Sequence, residues 1–379
     1  MRVEVKPQMF RWAYERARLD PEDLTHRFPK LREWEDGTAQ PTLRQLEEFA
    51  HATHAPVGFL FLAEPPVEPA PIPDFRTLSQ REPARPSPDL LDTVYACQQR
   101  QDWYRDFARS VGEEPLAFVG SLRRTTTAAR AAATIRETLK FDLARQRSSA
   151  DWQEAFRRFC EAAENAGVLV MVNGVVGTNN RRKLDPEEFR GFAIADDLAP
   201  LVFVNGADTK AAQMFTLAHE LAHVWLGETA LSDVALPSTP SQPVEQWCNQ
   251  VAAELLVPLA ELRHAHRPKA ALEDEITRLG REFKVSTLVV LRRLKDLGAL
   301  GDAAFRAAYA AELARLKAII RGSGGDFYRT QTTRISKRFT RAVVVSTLEG
   351  QTLHRDAFHL LGVSKVEMLH AMGRAVGID

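Results

Sequence analysis

The sequence has few cysteines and no long apolar run. Its 379 residues contain 3 cysteines, Cys97, Cys160 and Cys248. An odd and widely spaced set of this kind argues against a disulfide framework and fits a reducing compartment. No apolar run approaches the roughly 18–20 residues that span a bilayer, and the opening stretch MRVEVKPQMF has no signal-peptide character. We therefore expect a cytoplasmic protein that makes no membrane contact.

The sequence also lacks an excess of either charge. The 50 Lys and Arg residues balance 50 Asp and Glu residues, so the formal net charge is +0. A balanced chain offers no global electrostatic reason to bind nucleic acid or an anionic membrane. Hydrophobic residues make up 45% of the chain and charged residues 26%. This composition excludes disorder along the whole chain and predicts two or three globular domains.

Composition and periodicity divide the chain into four segments. Residues 1–62 are predicted to be a small helical module and residues 63–86 a proline-rich linker, or else an ordered extended segment lying on the next domain. Residues 87–300 combine helices with strand-like runs, and residues 301–379 are mostly helical. The predicted fold is therefore α+β and mostly helical, with a small three-stranded sheet. Its strands are predicted at Gly167–Val172, Gly191–Ala195 and Leu201–Val204.

A short motif in a predicted helix carries the most specific chemical signal. His219, Glu220 and His223 form an H-E-x-x-H sequence, in a helix that starts at a predicted cap, Asp208, and ends near Leu226. Histidines four positions apart lie on one face of a helix, at a spacing that chelates one Zn²⁺. Glu220 lies about 100° around the helix, where it reaches a metal-bound water without being a ligand. The alternative is a chance pentapeptide with ordinary hydrogen-bonded histidines.

A catalytic zinc site requires a third protein ligand and an open position. Glu245, 22 positions after His223 and on the next predicted helix, is the predicted ligand. Glu254 is the rival, but it lies about 180° from Glu245 around that helix, so only one of the two faces the metal. Asn249, one turn from Glu245, is predicted to orient a ligand. Its alternative is an ordinary amide on the helix face.

Together these groups predict zinc-dependent hydrolysis of a peptide bond. Zn²⁺ lowers the pKa of bound water to about 7 and polarises a carbonyl group. Glu220 is predicted to take the proton of that water as general base and to pass it to the leaving amine as general acid. The sequence assigns no residue to stabilise the oxyanion. The candidates, which no spacing discriminates, are His264, His266, His354, His359 and Tyr328.

Three sequence stretches resemble one protein family. FTLAHELAHVWLG, preceded by RGFAIADDLAPLVFVN and followed by EQWCNQVAAELLVP, resembles the ImmA/IrrE metallopeptidases over roughly residues 160–260. The resemblance implies a zincin-like metallopeptidase core, with zinc bound by His219, His223 and Glu245 and with Glu220 catalytic. It also implies the substrate, a helix-turn-helix repressor whose cleavage derepresses phage, mobile-element or DNA-damage genes in a stress response.

The N-terminal module resembles a second family. Leu31, Trp34 and the following stretches EDG and PTL resemble the end of the recognition helix in Cro/cI-type (XRE) helix-turn-helix modules. The stretch from Leu24 to Leu31 is about four residues short for such a module and contains Pro29, so the recognition helix is truncated. Residues 1–62 carry nine Lys and Arg against ten Asp and Glu, which is no basic footprint. We therefore expect a degenerate module used for docking or protein contact rather than for DNA binding.

The main alternative function is that of a DNA-binding regulator or antitoxin-like partner with a structural or sensory zinc site. It draws on the N-terminal resemblance and on a basic stretch, residues 321–341, in which only Asp326 is acidic. A solvated helix face is the simpler interpretation of that stretch. Its basic residues are Arg321, Arg329, Arg334, Lys337, Arg338 and Arg341.

Overall fold

The chain divides into two compact units. The computed structural model describes residues 1–74, 86–232, 242–318 and 327–378. The units are Met1–Pro71 with Leu78–Tyr95, and Ile72–Thr77 with Ala96–Asp379. The domain boundaries drawn from the sequence stay predictions, and the part of the predicted linker at residues 75–85 lies outside the described residues. No helix within the described ranges combines the length and the apolar character needed to cross a bilayer.

The N-terminal unit consists of short helices whose ends follow local sequence signals. Asp20 accepts a hydrogen bond from the backbone N–H of Glu22, and Pro21 opens the helix where a missing N–H costs nothing. Thr42 and Gln45 form a reciprocal capping box. The third helix has only 5 residues. The elements are α1 (Pro7–Arg16), α2 (Pro21–Arg27), α3 (Leu31–Glu35), α4 (Leu43–Thr53) and the 3₁₀ turn η1 (Val57–Phe61).

An aromatic cluster fills the core of the N-terminal unit. The ring of Phe49 lies edge-on to those of Phe10, Phe28 and Trp34, with centroid distances of 5.4, 5.4 and 6.3 Å. All four side chains are buried. Aromatic pairs in this geometry add about 0.5–1.5 kcal/mol each beyond the area that they bury, so a unit of short helices gains a specific core. The helix-turn-helix character of this unit and its function stay predictions.

The larger unit is mostly helical with a small mixed sheet, as expected for the α+β class. Helix α5 (Pro88–Ser110) belongs to this unit from Ala96 onward. The helices that follow are α6 (Ala128–Leu139), α7 (Leu143–Arg147), α8 (Trp152–Asn165), α9 (Lys210–Leu226), α10 (Pro243–Leu256), α11 (Leu259–Ala265), α12 (Leu272–Phe283), α13 (Thr287–Asp296), α14 (Asp302–Ala318), α15 (Phe327–Arg334), α16 (Lys337–Leu348), α17 (His354–Leu361) and α18 (Val366–Ala375). The strands are β1 (Leu169–Asn173), β2 (Val175–Val176), β3 (Asn179–Lys183), β4 (Gly191–Ile194), β5 (Leu201–Asn205) and β6 (Ala230–Leu231).

Four strands form the main sheet, in the order β1-β5-β4-β6, and β2 pairs with β3 in a separate hairpin. Strand β1 runs parallel to β5, whereas β4 is antiparallel to both β5 and β6. The three predicted strands are confirmed to within about two residues, but the predicted number is wrong, because β6 adds a fourth strand. Strand β6 has only 2 residues, too few to show a period in the sequence.

Helix α9 lies between the sheet and helix α10. It packs on β4 and β5 on one side and against α10 on the other. Every residue of β1, β4 and β5 is buried, and these strands are continuous apolar runs up to Asn173 and Asn205, which end β1 and β5. A helix covered in this way is shielded from water on several sides, and polar side chains on it need partners within the protein.

Helix α16, the first of the C-terminal helices α16–α18, begins beside the buried carboxylate of Glu164, a residue of α8. Glu164 accepts hydrogen bonds from the Ser336 hydroxyl (2.5 Å) and from the backbone N–H of Lys337 (2.7 Å), at the start of α16. A carboxylate at a helix N-terminus satisfies N–H groups that have no partner in the helix and complements the helix dipole. Glu164 thereby ties the C-terminal helices to the helix that precedes β1.

Replacing Glu164 with alanine is expected to lower the free energy of unfolding by about 1–3 kcal/mol, because Ser336 and the Lys337 N–H lose a buried acceptor. The matched control is Glu161, also on α8, whose carboxylate lies 2.9 Å from Lys337 Nζ in a pair with side chains 31% and 40% exposed. Replacing Glu161 with alanine is expected to lower the free energy of unfolding by less than about 1 kcal/mol. Urea unfolding of both variants measures the difference, and equal losses would contradict this role for Glu164.

Three residues of the predicted basic stretch are held by contacts within the larger unit. Lys337 pairs with an acidic residue of α8 at 2.9 Å, Arg338 pairs with Glu113 at 2.9 Å, and Arg341 donates to a backbone oxygen at 2.6 Å. Arg321 lies outside the described residues. These contacts occupy basic side chains that a nucleic-acid-binding surface would need for contacts with phosphates.

Candidate metal centre

Helix α9 carries the H-E-x-x-H motif and has well-defined ends. Thr209 is its N-cap, with a hydroxyl that accepts from the Ala212 N–H at 3.2 Å. The prediction of Asp208 as the cap is wrong by one residue. The Asp208 carboxylate instead accepts a hydrogen bond from the backbone N–H of Thr209, at 2.6 Å. Adjacent Asp and Thr residues are both good caps, so residue type alone does not choose between them. Gly227 ends the helix at φ +73°, just after the predicted end near Leu226.

The structure brings His219, His223 and Glu245 together. His219 Nε2 lies 3.2 Å from Glu245 Oε2, and His223 Nε2 lies 3.0 Å from Glu245 Oε1. The two Nε2 atoms are 3.1 Å apart. All three side chains are 0% exposed. Two imidazoles one turn apart on α9 and one carboxylate from α10 therefore converge on a single point.

These distances fit one metal ion. Ligand atoms about 2.0–2.1 Å from a tetrahedral zinc ion lie about 3.3–3.4 Å from one another, close to the 3.0–3.2 Å found here. Neither Glu245 oxygen receives a hydrogen bond of good geometry from the described residues. A buried carboxylate facing two imidazole nitrogens without a donor is costly, and a cation between the three groups removes that cost. Two imidazoles and a carboxylate are also a donor set that catalytic zinc sites use.

Burial and mutual proximity shift the pKa values of these three groups. Burial raises the pKa of Glu245, but His219 and His223 outweigh that effect and bring it down to about 2. Burial lowers the pKa of His223, and the net shift is downward. For His219 the neighbouring Glu245 carboxylate outweighs burial, so the pKa is raised. Glu245 is therefore ionised and His223 neutral at pH 7, the forms that bind a metal, while a proton competes for His219.

Glu220 adjoins the cluster, but its carboxylate has different surroundings. Burial raises its pKa, His219 lowers it and Glu245 raises it again, which gives a value of about 8. The Ser232 hydroxyl donates to Glu220 Oε2 at 3.1 Å. Glu220 Oε1 has no hydrogen-bond partner among the described residues. A carboxylate that titrates near neutral pH and has a free oxygen can take up and release a proton.

Helix α10 presents Glu245 and Asn249 to the cluster and directs Glu254 elsewhere. Asn249 Oδ1 lies 3.0 Å from His219 Nδ1, so Nδ1 donates and Nε2 keeps its lone pair for the cluster. Glu254 lies 2.5 Å from an Arg293 nitrogen, in a different ion pair. The structure thus brings Glu245, and not Glu254, to the histidines. The metal-binding roles themselves stay predictions.

Three of the histidines considered for the oxyanion have other contacts. His266 Nδ1 lies 3.2 Å from Glu275, His264 Nδ1 lies 2.7 Å from a backbone oxygen, and His359 Nε2 lies 3.1 Å from an amide oxygen. The side chain of Tyr328 lies outside the described residues. The structure therefore adds no support for these three histidines as oxyanion-stabilising groups.

Two residues at the site were not predicted from the sequence, Gly191 and Ser232. A Cβ atom on Gly191 would lie 2.5 Å from Thr216 Cγ2, 2.7 Å from the Phe203 oxygen and 3.1 Å from Glu220 Oε1. Only glycine lets β4 approach α9 so closely. A glycine opening a predicted strand is a signal that could have found Gly191. The short strand before Ser232 offers no comparable signal.

Replacing Gly191 with alanine is expected to lower the free energy of unfolding by about 1–3 kcal/mol and to displace Glu220. The closest backbone neighbour is an oxygen of the adjacent strand, which cannot move aside as a side chain can. Gly301 is the matched control, because a Cβ there meets nothing within 4 Å. Thermal unfolding of both variants tests the expectation, which is wrong if the two lose the same stability.

Comparison with known proteins supports a metallopeptidase-type function. Residues 163–295, which include every residue of the cluster, match the family model described as Peptidase_M78, IrrE N-terminal-like domain. This match supports the resemblance to the ImmA/IrrE family, indicates a peptidase, and points to a family of zinc metallopeptidases. Residues 335–375 match a domain of unknown function, DUF8813. No curated protein matches the chain significantly.

Proposed function

We propose that the chain is a zinc-dependent endopeptidase that hydrolyses a peptide bond in a regulatory protein, a helix-turn-helix repressor. The main support is the buried cluster of His219, His223 and Glu245 beside Glu220, within the segment that matches the peptidase family. The substrate class rests on the ImmA/IrrE resemblance alone.

The residues of the site have distinct tasks in this proposal. His219, His223 and Glu245 hold a zinc ion, which when bound supplies Lewis acidity that polarises the scissile carbonyl and acidifies water. Asn249 fixes the His219 ring so that Nε2 faces the cluster. Glu220 accepts a proton from the attacking water at Oε1 and passes it to the leaving amine. Its pKa is about 8 in the metal-free protein, and a cation held by the neighbouring ligands would lower it and favour the ionised form that accepts a proton.

Metal content and cleavage test the proposal together. Full-length protein purified without chelator is expected to contain one zinc ion per chain. It is then incubated with each helix-turn-helix regulator encoded in the same genome, and the products are identified by mass spectrometry. Cleavage at a defined bond is expected, with loss after chelation and recovery on adding Zn²⁺. Cleavage by the chelated protein, or none by the zinc-loaded protein, would contradict the proposal.

The alternative of a DNA-binding regulator with a structural or sensory zinc site has less support. The short helix α3 and the contacts of Lys337, Arg338 and Arg341 within the larger unit both weigh against it. A gel-shift titration with salt separates the two functions. Tight, sequence-selective binding that falls steeply with salt would favour the regulator, and absence of binding at low salt would reject it.

A further inference from the structure

Ser232 lies directly after β6 and contacts the proposed general base. Its side chain is 1% exposed, and its hydroxyl donates to Glu220 Oε2 at 3.1 Å. Neither the family match nor the sequence motif assigns this residue a role. A buried serine that donates to the one acidic group proposed to move a proton is placed to control how that group is oriented.

The two oxygens of Glu220 have unequal surroundings. Oε2 receives the Ser232 hydrogen bond, whereas Oε1 has no hydrogen-bond partner among the described residues and lies beside Gly191. The last torsion of a glutamate side chain is broad, so a carboxylate without such a contact rotates easily. The Ser232 hydroxyl holds one oxygen and leaves the other free to accept a proton.

The strand that leads into Ser232 is held from two sides. Strand β6 pairs with β4 through Leu231 and Ala230. On the outer side of β6, the Leu231 N–H donates to the Pro73 oxygen at 2.8 Å. The Thr229 hydroxyl, just before the strand, accepts from a backbone N–H that follows β4 at 3.0 Å. A donor on such a segment can fix a neighbour more precisely than one on a free loop.

We propose that Ser232 is the positioning residue of Glu220. It holds the carboxylate through Oε2 and leaves Oε1 without a hydrogen bond from the described residues, and it takes no part in the chemistry itself. The inference rests on the proposed function, because it gives Ser232 a task in peptide hydrolysis. A merely structural serine would satisfy a buried carboxylate and stabilise the fold, and its loss would leave turnover unchanged.

Kinetics of Ser232→Ala and Ser232→Thr in the zinc-loaded full-length protein test the proposal. With the repressor that the wild-type protein cleaves, Ser232→Ala is expected to lower kcat about 10- to 100-fold, with KM and zinc content unchanged. Ser232→Thr retains the hydroxyl and should recover most of the activity. The matched control is Ser336→Ala, which removes another buried serine–glutamate hydrogen bond, to Glu164, and should lower stability but not kcat.

Two further measurements separate failure of this inference from failure of the proposed function. Glu220→Gln is assayed alongside: if it is inactive while Ser232→Ala keeps the wild-type kcat, only the inference falls. If Glu220→Gln is fully active, or the wild-type protein cleaves nothing, both fall. A double-mutant cycle on unfolding of the metal-free protein needs no activity. The losses from Ser232→Ala and Glu220→Ala, which removes both carboxylate oxygens, should be non-additive, and strict additivity would overturn the pairing.

Discussion

Replacing Glu220 with glutamine is expected to abolish peptide cleavage while zinc stays bound. The amide is nearly isosteric with the carboxylate and keeps an oxygen for the Ser232 hydroxyl, but it cannot accept the proton of the attacking water. Loss of general acid–base catalysis alone lowers kcat about 10²- to 10⁴-fold. Because His219, His223 and Glu245 are untouched, zinc content and KM should stay at their wild-type values.

The measurement combines steady-state kinetics on the repressor with metal analysis of the same protein batch. Glu228→Gln, the same substitution just beyond the end of α9, is the control and should leave kcat unchanged. A Glu220→Gln protein that has lost zinc would point to a structural defect and not to chemistry. Wild-type turnover by a zinc-loaded Glu220→Gln protein would remove Glu220 from the mechanism.

The histidine pair could be predicted because its geometry is local. An i, i+4 spacing on a helix places two side chains on one face whatever the helix packs against, and His219 and His223 are indeed 3.1 Å apart at Nε2. The angular positions of Glu245 and Glu254 on α10, which are also local, showed that only one of the two could face the metal. Helices α9 and α10 and the three predicted strands, β1, β4 and β5, carried similar signals in their apolar runs and caps.

Other parts of the site depend on contacts that the sequence does not encode locally. Strand β6 exists because its two residues pair with β4 on one side and meet Pro73 on the other. Ser232 reaches Glu220 only through that pairing. The closeness of Gly191 to α9 likewise follows from how the helix packs on the sheet. Such long-range pairings leave no period in the sequence, which is why a fourth strand and a positioning residue were missed.

Replacing Glu245 with alanine is expected to remove the stabilisation that zinc confers. A ligand that binds only the folded state raises the free energy of unfolding by about 4 kcal/mol at a concentration about 1,000 times its Kd. Losing one of three protein ligands should weaken zinc binding by at least about 100-fold, beyond the effect of losing an outer hydrogen bond. The free energy of unfolding of the wild-type protein should therefore rise when zinc is added. We call this rise the zinc shift, and it should be far smaller for Glu245→Ala.

Glu254→Ala provides the matched control, since it removes a carboxylate from the same helix. It breaks the pair with Arg293, whose side chain is only 4% exposed, so the metal-free protein should lose stability while the shift caused by zinc stays as large as in the wild type. If Glu254→Ala loses the zinc shift and Glu245→Ala keeps it, the third ligand has been assigned to the wrong residue.

Because Glu245 raises the pKa of His219, protons compete with the metal there. The zinc shift of the wild-type protein should therefore shrink as the pH falls through that raised pKa.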